Sequence, residues 1–406
     1  MAGAVEGLKV IEMGQVAAAP AAAAVLADWG AEVIKVEPPT GDSLRSLIRL
    51  RGVDKLIKID GGAEMQVSFL CFNRNKKSVV VNLTKEGASD IIYKLVEKSD
   101  VFITNYSLDV LKRFNLDYAT LSQFNPGLVY AILTGYGRKG PDKDQRGYDY
   151  SAFWAHSGFQ YLIGEPGSDP PPQRGGLGDH VAAMHMVAGI MAALYHKQKT
   201  GIGQELEFSL YQSGVWTLSV DNQDALYGLP IIKTDRKSAH NPLFNSYCTR
   251  DGKWVFLAML QSDPFWVPFC RAIGRPELED SPKFNSLMAR EQNRDELCHL
   301  IDEVMASADL KEWETRFVEH DIIYARILSP AEIVTDPHAL VNDFFVEVEH
   351  PSGGRVKVVA SPVKFGKTPA TVRSVAPEVG QHTEEVLLEL GYSWEDIGRL
   401  KEQQVI

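Results

Sequence analysis

Few residues of this chain could bind a structural metal or form disulfides. Of 406 residues only four are cysteine, and none belongs to a C-x-x-C pair. The four are Cys71, Cys248, Cys270 and Cys298. Cysteines so far apart are typical neither of a disulfide framework nor of a zinc site, and they suit a reducing compartment. His180, His185 and His196 share one predicted helix but lack the i, i+4 spacing of a two-histidine metal site. We therefore expect no bound metal.

Long apolar runs and an excess of basic residues are also missing. No window approaches the ~18 uninterrupted apolar residues of a membrane span, and the N-terminus has no basic segment followed by an apolar core. These absences predict a soluble, cytoplasmic protein without a secretory signal. With 53 acidic against 42 basic side chains, the formal net charge of −11 argues against general nucleic-acid binding. The hydrophobic content of 45% is enough for a large core, and the length predicts at least two domains.

A strand–helix–strand pattern opens the chain and then repeats. The runs "LKVIEM" (8–13) and "AEVIKVEPP" (31–39) are β-rich, and "AAPAAAAVLADWG" between them is rich in helix formers. Further strands are predicted at 77–83, 100–106 and 127–137, with an amphipathic helix at 86–99. This order predicts an open α/β sheet of parallel strands, whose functional loops follow the carboxyl ends of the strands.

The remaining chain is more varied in its pattern. Residues 138–178 are crowded with Pro and Gly and are predicted as a long loop, which is uncommon unless it builds a site. A helix is predicted at 180–197 and a polar linker at 222–240. The run "GKWVFLAML" (252–260) opens a second region, which has helical signals at 263–273, 289–306 and 309–319. The tail "GGRVKVVASPVKF" predicts strands, and a pair of helices closes the chain.

Two familiar binding patterns are incomplete. Glu37 ends the second strand, where an acidic residue of a dinucleotide site would bind a ribose hydroxyl. However, "GQVAAAP" after the first strand has one glycine where that motif needs three, which argues against NAD. The basic run "FNRNKKS" (72–78) fits two interpretations, a solvated edge or a phosphate contact made by Arg74, Lys76 and Lys77.

The stretch "GGLGDHVAAMHM" (175–186) places Asp179 between a glycine-rich turn and a helix. Spacing alone favours a helix N-cap, which contributes about 1 kcal/mol. The alternative is a nucleophile, because the flanking glycines leave the carboxylate open to an electrophile. On either interpretation, the helix dipole and free amides are expected to keep Asp179 ionised at neutral pH.

Several motifs in one order resemble the class III CoA-transferases, the family of formyl-CoA and carnitine CoA-transferases and α-methylacyl-CoA racemases. The motifs are "GLKVIEMGQVAAAPAAAAVLADWGAEVIKVEPP", "FNRNKKSVVVNL", "SDVFITNY", "NPGLVYAILTGYGRKGP", "GLGDHVAAMHMVAGIMAALYHKQKTGIGQ" and "GQHTEEVLLELGY". The resemblance implies that Asp179 forms an aspartyl anhydride and then an aspartyl-CoA thioester. It implies transfer of CoA from an acyl-CoA donor to a free carboxylic acid, with CoA as substrate and no tightly bound cofactor.

The resemblance also implies an architecture. A Rossmann-like large α/β domain would be built from both chain ends, residues 1–221 and 331–406. The linker and a smaller α+β domain would occupy 222–330. Two such chains would interlock as rings in a homodimer.

The positions that bind CoA in the family match unevenly here. Val16, Asn105, Tyr106 and Arg113 fall on such positions, and Arg113 is the implied phosphate partner. A family lysine falls on Thr84, so that Lys85 beside it is the implied substitute. A family arginine near the end of the second strand is Pro38 in this chain, which increases the need for another basic residue.

The acyl side of the site is implied less directly. The residues matched to it are Gln15, Ala17, Tyr148, Asp149 and Trp154. Ala17 stands where formyl-CoA transferases have glutamine, and their flexible glycine loop is missing, which argues against formyl and oxalyl substrates. Phe153, Trp154 and His156 suggest a medium or aromatic acid.

Two other functions remain open. A racemase of this family needs a histidine and an aspartate to exchange a proton at the α-carbon. Its histidine aligns with Tyr148 or Asp149 in "RGYDYSAFWAHSG", and His156 lies some seven residues away. A non-catalytic partner subunit of a heteromer is the other alternative, but such a subunit need not keep Asp179 or Arg113.

Overall fold

The computed structural model describes residues 2–59, 62 and 64–406. Two compact units are present. The first comprises Met1–Gln160, Pro172–Gln223 and Val341–Ile406, and the second comprises Tyr161–Pro171 and Asp224–Leu340. The first unit thus includes both chain ends. The predicted domain boundaries at 221 and 330 stay a prediction.

The first half of the chain alternates strands and helices. Its elements are β1 (Lys9–Met13), α1 (Ala18–Asp28), β2 (Glu32–Glu37), β3 (Arg49–Leu50), β4 (Val53–Asp54), β5 (Leu56–Lys58), β6 (Glu64–Gln66), α2 (Val67–Asn73), β7 (Lys76–Val80), α3 (Ala88–Glu97), β8 (Val101–Thr104), α4 (Leu108–Arg113), α5 (Tyr118–Phe124) and β9 (Val129–Thr134). A π-helix at Asp149–Ala155 follows, and then α6 (Phe159–Leu162), α7 (Leu177–Thr200), β10 (Gln204–Ser209), α8 (Leu210–Thr217) and α9 (Ser219–Leu226).

The second half begins with an antiparallel sheet and ends with two helices. Its elements are β11 (Phe244–Cys248), β12 (Trp254–Ala258), α10 (Trp266–Ala272), α11 (Leu287–Gln292), α12 (Arg294–Met305), α13 (Leu310–Glu319), β13 (Tyr324–Arg326), α14 (Pro330–Ile333), α15 (Pro337–Val341), β14 (Phe345–Glu349), β15 (Arg355–Val359), α16 (Thr383–Glu389) and α17 (Trp394–Glu402). Strands β11, β12 and β13 form the sheet of the second unit, whose core contains Trp313, Phe317 and Phe269. Strands β14 and β15 pair as a hairpin of the first unit.

Six parallel strands form the central sheet in the order β10-β9-β8-β1-β2-β7. Val10, Val33 and Val101 point to one face and pack with α1 and α7. Ile11 and Phe102 point to the other face and pack with α3 and the C-terminal helices. The sequence prediction of a mixed α/β protein with a parallel sheet is therefore confirmed. The strand order reverses between β1 and β8, and ligands of open α/β sheets bind outside the carboxyl ends at such a point.

Helix α7 is long and apolar enough to cross a membrane by length and composition alone. It packs against α1 and the sheet, and Ala182, Met186 and Ile190 on it are fully or almost fully buried. A central helix of an α/β core has the same composition, so its hydropathy is explained by this packing.

Four local predictions were wrong. The predicted loop at 138–178 contains the π-helix and α6, because Ala152, Phe153 and Trp154 bury their side chains between the Pro- and Gly-rich ends of that stretch. Helix α7 begins at Leu177 instead of residue 180. The predicted linker at 222–240 begins inside α9 and includes a 3-10 turn at Arg236–Ser238. The predicted strands of the tail end at Val359.

Candidate active site

A cavity of about 710 Å³ opens at the carboxyl edge of the sheet, at the reversal of strand order. Its lining comes from the segments that follow the strands: residues 15–18 after β1, 36–38 at the end of β2, 81–84 after β7, 105–110 after β8, 133–135 at the end of β9, 143–150 before and within the π-helix, and Asp179. All of these residues belong to the first unit. Leu210, directly after β10, lines it as well, so the cavity collects side chains from the ends of all six strands of the sheet.

Most of the residues chosen from the sequence line this one cavity. They are Gln15, Val16, Ala17, Asn105, Tyr106, Arg113, Tyr148, Asp149 and Asp179. Lys85 is absent from the described lining, and its Nζ donates to the side chain of Gln404 at 3.2 Å. Its neighbour Thr84 takes the place at the cavity wall. Trp154 is buried outside the described lining and stacks on Phe159, with ring centroids 5.5 Å apart.

The turn after β1 is held in an unusual backbone conformation. Val16 has φ +67°, a left-handed conformation that is strained for a β-branched residue. Its N–H donates to Asp42 Oδ1 at 3.1 Å. The N–H of Gln15 donates to Asn105 Oδ1 at 2.9 Å, and Asn105 Nδ2 donates back to the carbonyl of Gln15 at 2.8 Å. These bonds tie the ends of β1 and β8 together and fix the floor of the cavity.

Buried charges support that turn from below. Lys35 Nζ lies 3.1 Å from Glu12 Oε1 and 2.9 Å from Asp42 Oδ2, and it donates to the carbonyl of Gly14 at 2.9 Å. Burial opposes the charge of Lys35, but Glu12, Asp42 and Glu37 raise the pKa of its ammonium. Because all these groups are desolvated, removing one partner would leave another charge unpaired.

The basic run at 72–78 belongs to this internal network. Arg74 and Lys76 are buried, so neither of the two interpretations left open, a solvated edge or a phosphate contact, describes them. Lys76 Nζ is fully buried and lies 3.0 Å from Glu12 Oε2, and burial lowers its pKa to about 8. Arg74 pairs with the buried Asp28 at 2.6 Å. Lys77 lies 2.8 Å from Glu385 on α16, a partner too distant in sequence to be foreseen.

Glu37 is also occupied within the protein. Arg45 donates to both of its carboxylate oxygens, at 2.8 and 2.7 Å, and Ser78 Oγ donates to Oε1 at 2.7 Å. Burial opposes ionisation, yet these partners lower the pKa of the Glu37 carboxyl. A ribose hydroxyl would have to compete with a two-pronged arginine contact.

The glycines before α7 allow two elements to come close together. Gly176 is the N-cap residue of α7, with φ +88°. A Cβ at Gly178 would overlap the ring of Phe153 and lie 2.5 Å from Asp149 Oδ1. A Cβ at Gly175 would overlap the hydroxyl of Tyr150. The glycine-rich string is therefore required by the π-helix that packs on it.

Asp149, and not Asp179, accepts the free amides at the start of α7. The N–H of Gly176 donates to Asp149 Oδ2 at 2.7 Å, and the N–H of Gly178 donates to Oδ1 at 3.0 Å. Asp149 is 4% exposed, and burial raises the pKa of its carboxyl, against the opposing effects of Gln173, the two amides and His180. The N-cap interpretation of Asp179 was wrong, since Asp179 is the third residue of the helix and the cap comes from 27 residues away in sequence.

Asp179 has a different environment from the one expected. Among the described residues, no group donates a hydrogen bond to its carboxylate, which is partly buried at the cavity wall. Burial raises the pKa of Asp179 to about 7, and the negative charge of Asp149 adds to the rise. The expectation of an Asp179 that is fully ionised at neutral pH was therefore wrong. Desolvation outweighs the helix terminus at this position.

Two basic residues at the cavity escaped the sequence analysis. Lys143 and Arg146 line it beside Tyr148, and Arg113 at the end of α4 lines it as well. The string "KDQRGYD" (143–149) was a usable signal, because it follows β9 and places two basic residues shortly before Tyr148 and Asp149. The close approach of Gly135 and Gly147, whose added Cβ atoms would each clash with the other's backbone, brings this loop over the strand end.

Comparisons with known proteins identify the family of this chain. The family model described as CoA-transferase family III matches residues 5–383. The chain is 33% identical to an (R)-2-hydroxy-4-methylpentanoate CoA-transferase of Clostridioides difficile, over 99% of each chain. It is 35% identical to a cinnamoyl-CoA:phenyllactate CoA-transferase of Clostridium sporogenes, over 98% of this chain and 96% of that protein. The solved structure of a CaiB/BaiF family protein from Brucella suis matches with a TM-score of 0.84 and 26% identity, over 96% of this chain and 100% of that one. The chain therefore belongs to CoA-transferase family III and is an enzyme of the class III CoA-transferase type.

Proposed function

We propose that Asp179 is the nucleophile that transfers CoA from an acyl-CoA donor to a free carboxylic acid. The observation on which this rests is the carboxylate of Asp179 at the wall of the cavity, without a hydrogen-bond donor among the described residues. A carboxylate that no protein group engages is open to an electrophile. Its raised pKa makes the anion more basic than an ordinary aspartate, and hence a better nucleophile.

The proposed reaction needs no net proton transfer. Asp179 attacks the thioester carbonyl of the donor and the C–S bond breaks. The products are a mixed anhydride of the acyl group with Asp179 and the free CoA thiolate. The thiolate attacks the aspartyl carbonyl, which releases the donor acid and forms an aspartyl-CoA thioester. The acceptor carboxylate attacks this thioester and expels the thiolate again. The thiolate finally attacks the acceptor's acyl carbon, so that the new acyl-CoA is formed and Asp179 is regenerated.

CoA is proposed to bind across the carboxyl ends of β1, β8 and β9. Arg113, Arg146 and Lys143 are the cations of the lining, and they fit the phosphate groups of the substrate. Val16, Asn105 and Tyr106 line the same cavity and are proposed as further contacts. Lys85 is not proposed as a contact, because it lies outside the described lining.

The acceptor is proposed to be a 2-hydroxy acid with a branched or aromatic side chain. Two relatives that match over nearly the full length are named for (R)-2-hydroxy-4-methylpentanoate and phenyllactate. Leu133 and Leu210 provide apolar surface in the same cavity as Asp179. The racemase alternative has less support, since no histidine is among the described lining residues. His156 packs with Tyr136 and Tyr211 elsewhere.

A homodimer is proposed as the assembly. Large apolar side chains are exposed on and just after α8 and α9, with Val220, Leu226 and Tyr227 each about three-quarters exposed. Exposed apolar clusters of this kind mark interaction surfaces. Sedimentation equilibrium tests the homodimer, and the mass of a single chain across the working concentration range would contradict it. If the homodimer is the active form, the purified chain should transfer CoA without a second protein.

Mass spectrometry of CoA esters tests the reaction. The protein is incubated with a panel of acyl-CoA donors and free acids, with and without hydroxylamine to trap the aspartyl intermediates on Asp179. Asp179→Asn is expected to lower the transfer rate by about 10³-fold or more. The matched control is Asp90→Asn, because Asp90 is likewise the third residue of a helix with a left-handed glycine cap, but it is exposed on α3.

The outcomes separate the candidate functions. Transfer by Asp179→Asn at the wild-type rate would rule out the proposed nucleophile. Deuterium uptake from solvent at the α-carbon of a branched acyl-CoA, without any transfer, would favour the racemase. A wild-type chain that binds CoA but turns over no donor, alone or in pairs with acids, would favour a non-catalytic subunit.

A further inference from the structure

A carboxylate from outside α7 supports the start of this helix. Asp149 receives the N–H of Gly176 on one oxygen, at 2.7 Å, and the N–H of Gly178 on the other, at 3.0 Å. The N-cap residue Gly176 has no side chain of its own to take this role. Both oxygens of Asp149 are therefore used on the turn that also bears Asp179.

The contact is closely packed on both sides. Asp149 is the first residue of the π-helix, and the ring of Phe153 on that helix fills the space that a Cβ at Gly178 would need. The hydroxyl of Tyr150 lies against Gly175 in the same way. A helix end held by hydrogen bonds and by close packing has little freedom to move the side chain one residue further along.

We propose that Asp149 is a positioning residue, which fixes the direction of the Asp179 carboxylate and tunes its basicity through charge. This inference rests on the proposed role of Asp179 as nucleophile. Asp149 does not react with substrate in this proposal. The sequence resemblance places Asp149 on the acyl side of the site, whereas the proposal gives it a role on the helix that bears the nucleophile.

The charges around the two carboxylates decide the direction of the electrostatic effect. The charge of His180 on α7 favours the ionised form of Asp149. Asp149 in turn raises the pKa of Asp179. The other ionisable groups that line the cavity are Glu37, Asp109, Arg113, Lys143, Asp144, Arg146, Tyr106, Tyr148 and Tyr150. Removing the charge of Asp149 should therefore let Asp179 ionise at lower pH.

The pH dependence of kcat/KM for acyl-CoA separates this role from simple support of the fold. Asp149→Asn removes the charge and one acceptor, so the acid limb of the profile is expected to move to lower pH. The kcat should fall about tenfold or more, because a misdirected nucleophile is slow, while the KM of acyl-CoA changes little. Asp149→Ser is the second variant, since it removes the charge and leaves a smaller side chain whose hydroxyl can still accept a hydrogen bond. Asp149→Glu keeps the charge and should leave the acid limb in place with a lower kcat.

Each result decides between the two proposals. An unmoved acid limb and wild-type kcat in Asp149→Asn or Asp149→Ser would overturn the positioning role, as would an equal shift of the limb in Asp149→Glu. If a variant lowers only the fraction of folded protein, the acid limb of its pH profile stays where it is in the wild type. That result also overturns the positioning role. The nucleophile itself is tested separately by Asp179→Asn. If that variant is inactive and the Asp149 variants behave as wild type, only the positioning role fails.

Discussion

Asp179 is balanced between two protonation states near neutral pH, because burial and the charge of Asp149 raise its pKa to about 7. A nucleophilic carboxylate gains basicity from such a shift, but it loses part of its ionised population. The Asp149 carboxylate, with its two amide donors, is the group that makes this balance depend on a second residue. At the residue scale the site is thus a pair of unlike carboxylates, one bound to backbone and one open to the cavity.

The transfer rate should follow the ionisation of Asp179. We expect kcat/KM to rise as the pH is raised through about 7 and to level off above it, since only the ionised carboxylate attacks. Initial rates from pH 5 to 9 in buffers of constant ionic strength measure this limb. Asp90→Asn should give the same profile as wild type. A limb near the ordinary aspartate value, well below pH 6, would contradict a desolvated nucleophile.

The same shift predicts that the active site lowers the stability of the fold. The pKa of Asp179 is higher in the folded than in the unfolded chain, so the unfolded chain binds fewer protons between pH ~4 and ~7. The wild-type protein is therefore expected to lose stability as the pH rises through this window. Asp179→Asn should avoid the loss and be more stable at pH 8 by about 1–4 kcal/mol, with the upper value reduced by residual solvent contact.

Urea unfolding at pH 8 and pH 4, at one protein concentration, measures this difference. The gain of Asp179→Asn over wild type should be largest at pH 8 and vanish near pH 4. If Asp179→Asn and wild type are equally stable at both pH values, or if the gain of the variant is confined to acid pH, the carboxylate is not desolvated in the folded protein.

At the scale of elements, the contact between the π-helix and α7 depends on the absence of a side chain at Gly178. Gly178→Ala would drive a methyl group into Phe153 and towards Asp149 Oδ1, and we expect a loss of about 1–3 kcal/mol in the free energy of unfolding. Gly398→Ala in α17 is the matched control, because nothing lies within 4 Å of its added Cβ. That control should gain up to about 1 kcal/mol from the higher helix propensity of alanine. Chemical denaturation of both variants measures the contrast, and equal effects would contradict the close packing.

Sequence patterns were sufficient for the elements and insufficient for their junctions. Periodicity and the recurring strand–helix–strand order identified every strand of the central sheet before β10 within a few residues. The cap of α7 was missed because its donor amides and its acceptor Asp149 are 27 residues apart, and no local pattern links them. The burial of Lys76 was missed for the same reason, since its partner Glu12 is 64 residues away. The resemblance to a family, and not spacing, pointed to the residues of the cavity.

At the scale of the whole molecule, the basic residues of an acidic chain fall into two groups, one buried in ion pairs and one at the wall of the cavity. The chain has a net charge of −11, and Arg74, Lys35 and Lys76 are neutralised inside the first unit. Arg113, Lys143 and Arg146 are found instead at the carboxyl edge of the sheet. Lys35 supports the Gln15–Val16 turn through Asp42 and the carbonyl of Gly14, whereas Lys76 pairs with Glu12 and Arg74 with Asp28. We propose that the cations of the lining bind the anionic substrate. The fold thus divides these basic residues between internal ion pairs and the proposed binding site.

Thermal shift with free CoA tests that division. At a CoA concentration of 100 times Kd, binding to the folded protein should stabilise it by about 2.7 kcal/mol and raise Tm. Arg113→Ala should lose most of this shift at the same CoA concentration, while its Tm without ligand stays near wild type because the side chain is exposed on α4. Lys112→Ala is the matched control, since Lys112 is exposed one residue away and outside the described lining. Each of the two variants removes one positive charge, so a general electrostatic effect would lower the CoA-induced shift in Tm equally in both. A CoA-induced shift of wild-type size in Arg113→Ala would mean that Arg113 does not contact the phosphates. Arg146→Ala and Lys143→Ala would then test the loop before the π-helix in the same way.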